Sequence, residues 1–348
     1  MNDLRHTQMM SFLNANLAAG FRVESLPGDA SFRRYHRIHL PVIAEVGKTE
    51  MTYLLMDAPP EKESVTEFVH VADIMSEVVN VPDIIARDIE RGFLLLQDFG
   101  TVEFAHLIRD DAKHKDVYYS QALSTLASLH SLDTNVDLPI YTDDKLHQEM
   151  DLFEAWFLPY VNVSMDDHAK AVWQALKAQL ITDIAKQPSV IVHRDYHSRN
   201  LMADKGSDAL GVIDFQDAVI GAYTYDLVSL VRDAYIDYDE KWVEKRILEF
   251  YELINPKVDF GSFIAETNVM GVQRHLKVLG IFIRLSERDG KRRYLNDIPK
   301  VMRDLLTELD WLQAHGAAPV YGEFLQWLNA EVLVAYQNRF ANSKEQGA

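Results

Sequence analysis

The sequence predicts an α+β protein with a small, mostly β N-terminal lobe and a larger, helical C-terminal lobe. Short apolar runs of strand length recur through residues 1–99, whereas long segments with helical spacing of apolar residues dominate residues 100–348. The chain has 348 residues, of which 48% are hydrophobic, so it is long enough to build two such lobes. We place the boundary between them at the Gly100 turn, where the pattern changes.

The elements of the first lobe can be placed from the apolar pattern. Leu4, Met10, Leu13 and Leu17 recur at helical spacing before Gly20, which predicts a helix over residues 3–19. The further predicted elements of this lobe are strands over 35–40 and 52–56, a helix over 64–79, and strands over 81–86 and 92–100.

The second lobe is predicted to be mainly helical. Its predicted helices span residues 117–131, 146–157, 166–186, 225–235, 240–254, 263–286, 298–315 and 321–337. Three short apolar runs with β-branched residues predict strands at 190–192, 201–203 and 210–213.

Composition argues against several classes of function. A formal net charge of −18 opposes nucleic acid as the main partner, because such binding requires Lys and Arg to neutralise phosphates. The chain has no cysteine and therefore forms neither disulfides nor thiolate metal sites. The N-terminus lacks the pattern of a secretory signal, and the apolar run at 278–283 is too short to cross a bilayer. We expect a cytoplasmic protein that binds neither nucleic acid nor membranes.

Residues 190–217 hold the densest group of ionisable side chains between apolar runs. Polar residues lie at the ends of the three predicted strands, namely His193, Asp195, Asn200 and Asp214. Strand ends hold such side chains in fixed positions, which is how active sites are commonly built. A lone His-x-Asp pair is more often structural, but the spacing of the other two residues argues against coincidence.

The order of these residues resembles the catalytic and metal loops of eukaryotic-like kinases. His193-Arg194-Asp195 is followed by Asn200, five positions after the aspartate, and by Asp214 at a later strand end. The resemblance implies phosphoryl transfer from ATP, with Asp195 as the catalytic residue that orients the attacking hydroxyl. Asn200 and Asp214 would hold Mg²⁺, an ion that prefers hard oxygen ligands. His193 is expected to fix the loop.

Further sequence narrows the resemblance. The motif Tyr225-Asp226-Leu227 follows the pattern described above. Together they resemble the aminoglycoside phosphotransferase and choline kinase branch of the protein-kinase-like fold, and Asp226 is expected to brace the catalytic loop. The chain is most similar to bacterial cell-wall sugar kinases, which phosphorylate the anomeric (C1) hydroxyl of N-acetylmuramate and N-acetylglucosamine in cell-wall recycling. The phrases that carry this similarity are GDASFRRY at 28–35, MDAPP at 56–60, HRDYHSRNLM at 193–202 and QRHLKVLG at 273–280. The resemblance implies a sugar 1-kinase that uses ATP and Mg²⁺ on a small amino sugar.

Two segments of the first lobe are expected to bind the nucleotide. The turn before residue 35 would lie over the phosphates, and the hinge at 96–99 would clamp adenine through its backbone. The candidate cofactor-binding residues are Ser31, Phe32, Arg33, Arg34, Gln97, Asp98 and Phe99. Met56 departs from the kinase pattern, because it stands about where kinases place the lysine that binds the phosphates. Arg33, Arg34 and Lys48 are all candidates for the missing cation.

The acceptor is expected to bind in the helical lobe, close to Asp195. Basic residues concentrate at 274–293 of an otherwise acidic chain, and Arg274, Lys277 and Arg284 recur at near-helical spacing. A solvated helix face is the plain structural interpretation. A sugar with a carboxylate, such as N-acetylmuramate, would instead suit an arginine fork. The candidate substrate-binding residues are His197, Arg199, Arg274, Lys277 and Arg284.

Two alternatives remain open from the sequence. The chain can be a kinase of another small hydroxylated metabolite or of an aminoglycoside, although the basic cluster disfavours a cationic acceptor. It can also be a nucleotide-binding pseudokinase, which Met56 favours and which the intact Asp195, Asn200 and Asp214 oppose. The sequence determines neither the preferred nucleotide nor the oligomeric state.

Overall fold

The computed structural model describes residues 3–27, 32–41 and 51–345. The chain divides into two compact units. Unit 1 consists of residues 1–118 and 199–218, and unit 2 consists of residues 119–198 and 219–348. Each unit is built from two separate chain segments, so the predicted boundary between residues 99 and 100 stays a prediction.

The helices and strands are as follows. The strands are β1 Arg22–Ser25, β2 Arg34–His39, β3 Thr52–Asp57, β4 Ile84–Asp88, β5 Phe93–Gln97, β6 Ser189–Val192, β7 Leu201–Ala203, β8 Leu210–Val212 and β9 Val219–Ala222. The helices are α1 Asp3–Asn16, α2 Thr66–Met75, α3 Phe104–Asp110, α4 Lys115–His130, α5 Asp143–Leu152, α6 Leu158–Tyr160, α7 Asp167–Ile184, α8 Tyr225–Val231, α9 Glu240–Ile254, α10 Phe260–Glu287, α11 Ile298–Ala314, α12 Pro319–Trp327 and α13 Leu333–Glu345. Turns of 3₁₀-helix span Ala112–His114 and Arg292–Asn296, and π-helical turns span Phe153–Phe157 and Leu328–Val332.

Unit 1 is organised around an antiparallel sheet with the strand order β1-β2-β3-β5-β4. Because side chains alternate along a strand, the sheet has two different faces. Helix α1 packs Met9, Phe12 and Leu13 against one face, which we call the α1 face. On the other face, Tyr35 of β2 lies opposite Met56 of β3. We call this the Tyr35 face.

A hairpin from later in the chain belongs to unit 1. Strands β7 and β8 pair antiparallel, and the hairpin is hydrogen-bonded to residues far earlier in the sequence. The N–H of Val212 donates to the carbonyl of Asn80 at 2.8 Å, and the N–H of Lys205 donates to the carbonyl of Phe99 at 3.1 Å. A Cβ at Gly211 would lie 2.4 Å from the Phe99 ring, so the packing here requires glycine.

Unit 2 is built around α10, a 28-residue helix with many buried residues. Apolar residues of α5, α7, α11 and α12 join it in one large core, and β6 pairs with β9 in a two-stranded antiparallel sheet. A Cβ at Gly280 of α10 would lie 2.3 Å from the backbone carbonyl of Leu152, so the helix approaches its neighbour more closely than any larger residue allows. Among the described residues, no helix combines the length and apolar character needed to cross a bilayer.

The α+β fold class is confirmed, with a five-stranded sheet early in the chain and helices dominating later. Among the described strands and α-helices, β1, β9, α3 and the short α6 were not predicted. Strand β1 is an exposed edge strand, and without buried side chains its sequence carries little apolar alternation. The predicted helices at 146–157 and 321–337 each contain a π-helical turn, which the periodicity did not indicate.

Candidate active site

The loop after β6 in unit 2 carries Asp195, and it is held by Asp226 at the start of α8. The Asp226 carboxylate accepts hydrogen bonds from the backbone N–H groups of His193 at 2.6 Å and Arg194 at 3.0 Å. Arg194 has φ of 76°, a conformation that a residue with a side chain adopts only when its surroundings enforce it. His193 is fully buried, and its Nδ1 accepts from the backbone N–H of Asp195 at 3.2 Å. These contacts agree with the expected bracing role of Asp226 and the loop-fixing role of His193.

The electrostatic surroundings of Asp195 favour its ionised form. Burial raises the pKa of Asp195, but Lys277, His197 and Arg274 outweigh burial and bring the pKa below its ordinary value. The side chain is therefore a carboxylate at neutral pH. A carboxylate accepts a hydrogen bond from a hydroxyl and can orient it.

Arg274 and Lys277 lie one turn apart on α10 and support the loop. The Lys277 amine donates to the Tyr225 hydroxyl at 2.9 Å and forms an ion pair with Glu149 at 3.1 Å. Arg274 donates to the same hydroxyl at 3.1 Å and to the carbonyl of Arg194 at 3.0 Å. The Arg194 guanidinium forms an ion pair with Glu149 at 2.8 Å. Both basic residues thus have structural partners, and their predicted contact with substrate stays a prediction.

Glu149 and Tyr225 form the centre of this network, although neither was predicted to be a site residue. Burial raises the pKa of Glu149, but Lys277, a hydrogen bond from Tyr141 and Arg194 bring it below its ordinary value. Glu149 is one of several acidic residues around α5, so no local pattern distinguishes it. Its importance becomes visible only through contacts with residues 45 and 128 positions away in the chain.

An aromatic row runs from the loop that carries Asp195 toward the C-terminal part of α10. The His197 ring packs edge-on against Tyr235 at 5.4 Å between centroids, and Tyr235 stacks on Phe282 at 6.1 Å. Arg284 follows Phe282 on α10 and is partly exposed, and its buried Nε has no hydrogen-bond partner among the described residues. Burial and nearby Arg288 lower the pKa of Arg284.

Asn200 and Asp214, the predicted metal ligands, meet in unit 1. Asn200 Nδ2 lies 3.4 Å from Asp214 Oδ2, and the carbonyl of Asn200 accepts from the N–H of Ile213 at 3.0 Å. Asp214 has φ of 65°, and Gln216 Nε2 donates to its Oδ1 at 2.9 Å. Asn200 is partly exposed, and Asp214 is exposed.

This donor set fits Mg²⁺. Rotation of the Asn200 amide by half a turn presents its oxygen beside the Asp214 carboxylate. Mg²⁺ commonly takes one or two protein oxygen ligands and completes its shell with water and phosphate. Within residues 3–27, 32–41 and 51–345, no cluster of three or more His, Asp or Glu side chains suited to a metal occurs. A site that depends on a nucleotide's own oxygens agrees with this finding.

Arg33 and Arg34 point to different partners, although they are adjacent. Arg33 Nε forms an ion pair with Glu63 at 2.7 Å, whereas Arg34 pairs with the buried carboxylate of Asp57 at 2.8 Å. Arg33 also hydrogen-bonds to Tyr35. Burial raises the pKa of Tyr35 to about 12, with Arg33 lowering and Asp214 raising it. Arg33 and Arg34 thus have different carboxylate partners, and only Arg33 acts together with Asp214 on the pKa of Tyr35.

The other predicted residues of the phosphate turn are only partly described. Ser31 lies outside the described residues, as does Lys48. The Phe32 side chain is 62% exposed, and its N–H donates to Glu63 Oε1 at 2.9 Å. Glu63 therefore holds both residues that follow the turn.

The predicted hinge residues have well-defined partners within unit 1. Gln97 N–H donates to the carbonyl of Asp83 at 2.8 Å. The Asp98 carboxylate accepts from Arg37 Nε at 2.8 Å and pairs with the Lys205 amine at 3.2 Å. Asp98 thus has a structural role as a side chain. Binding of adenine by the backbone of Gln97, Asp98 and Phe99 stays a prediction.

Arg199 is the first residue of the chain segment that returns to unit 1, and it is partly exposed. It lies two residues before β7, whereas His197 and the other predicted substrate-binding residues belong to unit 2. A contact of Arg199 with substrate stays a prediction.

Comparison with known proteins identifies relatives over both units. Residues 22–254 match the model of the family described as phosphotransferase enzyme family. The chain is 36% identical to a Pseudomonas putida protein named N-acetylmuramate/N-acetylglucosamine kinase, over 86% of this chain and 90% of the relative. A Caulobacter vibrioides protein of the same name is 29% identical, over 96% of this chain and 98% of the relative.

Solved structures show the same fold at low sequence identity. Aminoglycoside phosphotransferase APH(2'')-Ib with ADP bound aligns with a TM-score of 0.57 at 14% identity, over 87% of this chain and 98% of the other. Choline kinase from Cryptosporidium parvum aligns with a TM-score of 0.58 at 11% identity, over 92% and 99%. The kinase-like fold and the family resemblance are both confirmed. The chain therefore belongs to the phosphotransferase enzyme family and is a nucleotide-dependent kinase.

Proposed function

We propose that the protein is an ATP- and Mg²⁺-dependent kinase that phosphorylates the anomeric hydroxyl of N-acetylmuramate, N-acetylglucosamine or both. The observation that carries this proposal is the similarity to kinases named for these two sugars, which extends over most of both units. A relationship confined to the nucleotide-binding part would support only a general kinase. The proposal includes a cytoplasmic location, where ATP is available, and a role in recycling cell-wall sugars.

The chemistry assigned to Asp195 follows from its charge and its fixed backbone. Its carboxylate would accept a hydrogen bond from the sugar hydroxyl, orient the oxygen for attack and take the proton late in the reaction. Asp226 keeps the loop in its strained conformation, and Lys277 and Arg274 keep Asp195 ionised. When bound at Asn200 and Asp214, Mg²⁺ would neutralise phosphate charge.

Arg284 is the best-supported candidate for recognition of the N-acetylmuramate carboxylate. Arg274 and Lys277 are buried and engaged by Tyr225, whereas Arg284 is less buried and has a buried Nε without a hydrogen-bond partner among the described residues. Seven residues separate Lys277 from Arg284, so both lie on a similar side of α10, roughly 10 Å apart along the axis. The aromatic row, formed by His197, Tyr235 and Phe282, leads from the Asp195 loop toward this part of α10.

An acceptor panel tests the proposed function. Purified protein with Mg²⁺ and ATP would be given N-acetylmuramate, N-acetylglucosamine, choline and an aminoglycoside, and ADP release would be measured. We expect turnover with one or both amino sugars, and a phosphorus NMR signal from a sugar 1-phosphate. Turnover with choline or the aminoglycoside alone would exclude the proposal, and phosphate at another hydroxyl would exclude the C1 assignment.

A charge-removal variant tests the role of Arg284. Arg284→Met should raise KM for N-acetylmuramate by about 10-fold or more, because a charge-assisted hydrogen bond contributes about 1.5–3 kcal/mol. The KM for N-acetylglucosamine, which has no carboxylate, should stay within about 2-fold. Arg288→Met is the matched control, since Arg288 is exposed and pairs with Asp289 at 2.7 Å. An unchanged preference between the two sugars in Arg284→Met would contradict the assignment.

A further inference from the structure

The sheet of unit 1 has an apolar side chain where related kinases carry a phosphate-binding lysine. Met56 lies in β3 with 0% of its side chain exposed, between Tyr35 on β2 and Leu94 on β5. A methionine thioether carries no charge and donates no hydrogen bond. A nucleotide triphosphate bound on the Tyr35 face therefore requires its protein cation from another residue.

Arg33 is on the same side of the sheet as Met56. Tyr35 and Met56 are directly opposite across β2 and β3, so their side chains share a face. Arg33 precedes Tyr35 by two residues and hydrogen-bonds to it, and Tyr35 is in electrostatic range of Asp214. A cation on this face therefore stands just before β2, and not in β3 where related kinases carry their lysine.

Glu63 positions the Arg33 guanidinium as a kinase glutamate positions its lysine. Its Oε2 lies 2.7 Å from Arg33 Nε, and its Oε1 accepts from the N–H of Phe32 at 2.9 Å. Only 13% of the Arg33 side chain and 18% of the Glu63 side chain are exposed, so water screens this pair less than a surface pair. A guanidinium has five N–H donors and can bind a carboxylate and a phosphate together.

The other cations described near β3 have different positions. Arg34 is on the α1 face, where it pairs with Asp57, a carboxylate that also binds Arg5 at 2.6 Å. Lys205 is hydrogen-bonded to Thr52 at 2.5 Å, and Thr52 is four residues from Met56, or roughly 13 Å along the strand. Neither is placed beside the Tyr35 and Met56 side chains. Arg37 shares their face of the sheet, but its guanidinium binds the Asp98 carboxylate at 2.8 Å and the Gly100 carbonyl at 3.0 Å.

We propose that the Arg33–Glu63 pair replaces the lysine–glutamate pair of related kinases, with Arg33 binding the nucleotide phosphates and Glu63 acting as its positioning residue. This inference rests on the proposed use of ATP, but it requires no assumption about the acceptor sugar. It also separates Arg33 from Arg34, which the sequence alone could not do.

Calorimetric titration without any sugar tests the proposal, so that a wrong acceptor assignment cannot affect the result. Arg33→Met should weaken binding of Mg²⁺·ATP by about 10- to 100-fold, because a charge-assisted contact to phosphate is lost. Binding of adenosine should stay within about 2-fold. Lys62→Met is the matched control, because Lys62 is an exposed cation beside Phe32, 5.2 Å from its ring, and its loss should change ATP binding by less than about 2-fold.

Two further variants distinguish phosphate binding from a structural role. Glu63→Gln should weaken ATP binding less than Arg33→Met does, and the double variant should bind no more weakly than Arg33→Met alone. Met56→Lys in the Arg33→Met background should restore at least part of the ATP affinity, since it returns a cation to the same face. Parent-like ATP affinity in a folded Arg33→Met protein would overturn the proposal. It would also be overturned by equal losses of affinity for ATP and adenosine, or by additive effects of Arg33→Met and Glu63→Gln on ATP binding. The same holds if Met56→Lys restores no ATP affinity to a folded Arg33→Met protein.

Discussion

The charge of Asp195 depends on its near neighbour His197 and on two residues that lie far away in the sequence, Lys277 and Arg274. Burial raises its pKa, and Lys277, His197 and Arg274 outweigh that effect. Because the folded-state pKa is below the unfolded value near 3.8, ionised Asp195 contributes stability above pH 3.8. That contribution is lost as the pH falls through the lower folded-state pKa. Catalysis should therefore tolerate mild acid as far as Asp195 is concerned.

Removing the charge of Lys277 should move the pH dependence of the reaction. In Lys277→Met the pKa of Asp195 should rise, because Lys277 is the nearby opposite charge that contributes most to lowering it. The acidic limb of kcat/KM should shift upward by the same amount. Lys277→Arg, which keeps the charge, should move it much less. If the limb were identical in Lys277→Met and in the parent, the electrostatic role of Lys277 would be refuted.

The sequence identifies residues whose chemistry depends on local spacing and misses residues whose roles depend on distant contacts. Asp195, Asn200 and Asp214 follow from one short pattern, and the structure brings Asn200 and Asp214 within 3.4 Å of each other. Glu149 and Glu63 each pair with an arginine at least 30 positions away. No local pattern encodes such a pairing, so neither residue could be predicted.

Helix α10 also has one feature that the sequence predicts and one that it does not. Its apolar spacing predicted a helix over 263–286, and the structure has it at Phe260–Glu287. The sequence did not indicate why two glycines interrupt so long a helix. A Cβ at Gly271 would lie 1.9 Å from the Glu308 carboxylate, and one at Gly280 would lie 2.3 Å from the backbone of Leu152. Both glycines are explained by close packing, which periodicity does not report.

Substituting Gly280 should destabilise unit 2. Gly280→Ala places a methyl group against backbone atoms that cannot rotate away, and overpacking of this kind costs about 1–3 kcal/mol. Alanine favours a helix over glycine by about 1 kcal/mol, which offsets part of that cost. The control is Gly322→Ala in α12, where the nearest atoms belong to the flexible side chain of Gln313. Thermal unfolding should show a lower Tm for Gly280→Ala only, and equal Tm values would contradict the packing argument.

Short elements were the hardest to predict. Strand β9 consists of four residues next to the polar segment that holds Asp214 and Asp217, so its apolar run was not assigned. The π-helical turn at Phe153–Phe157 inserts an extra residue into a helix whose apolar pattern looks continuous. In both cases tertiary pairing or packing decides the structure, and the local sequence carries little of that information.

At the scale of the whole molecule, unit 1 is assembled from two parts of the chain. The hairpin of β7 and β8 is hydrogen-bonded to Asn80, Phe99 and Val102, and Phe215 packs its ring 4.7 Å from that of Phe68. These contacts cover buried apolar side chains of the first segment. Residues 1–118 alone therefore lack part of their own core.

The assembly of unit 1 from two chain segments predicts how fragments of the protein behave. A fragment of residues 1–118 should show no cooperative unfolding transition, because small domains have little stability to lose. Joining residues 199–218 to it through a flexible Gly/Ser linker should restore a cooperative transition. Circular dichroism during urea titration would measure both. A fragment 1–118 that unfolds as cooperatively as the joined protein would show that the hairpin is dispensable.

The discontinuous build of unit 1 also sets the order of events during synthesis on the ribosome. The chain emerges from its N-terminus, and the 100 residues from 119 to 218 must be translated before the β7–β8 hairpin is available. At about 5–20 residues per second, this takes roughly 5–20 s. During that interval the nascent sheet exposes apolar surface that the hairpin later covers. Unit 1, although its synthesis begins first, is thus completed late, and its uncovered apolar surface is a target for chaperones in the meantime.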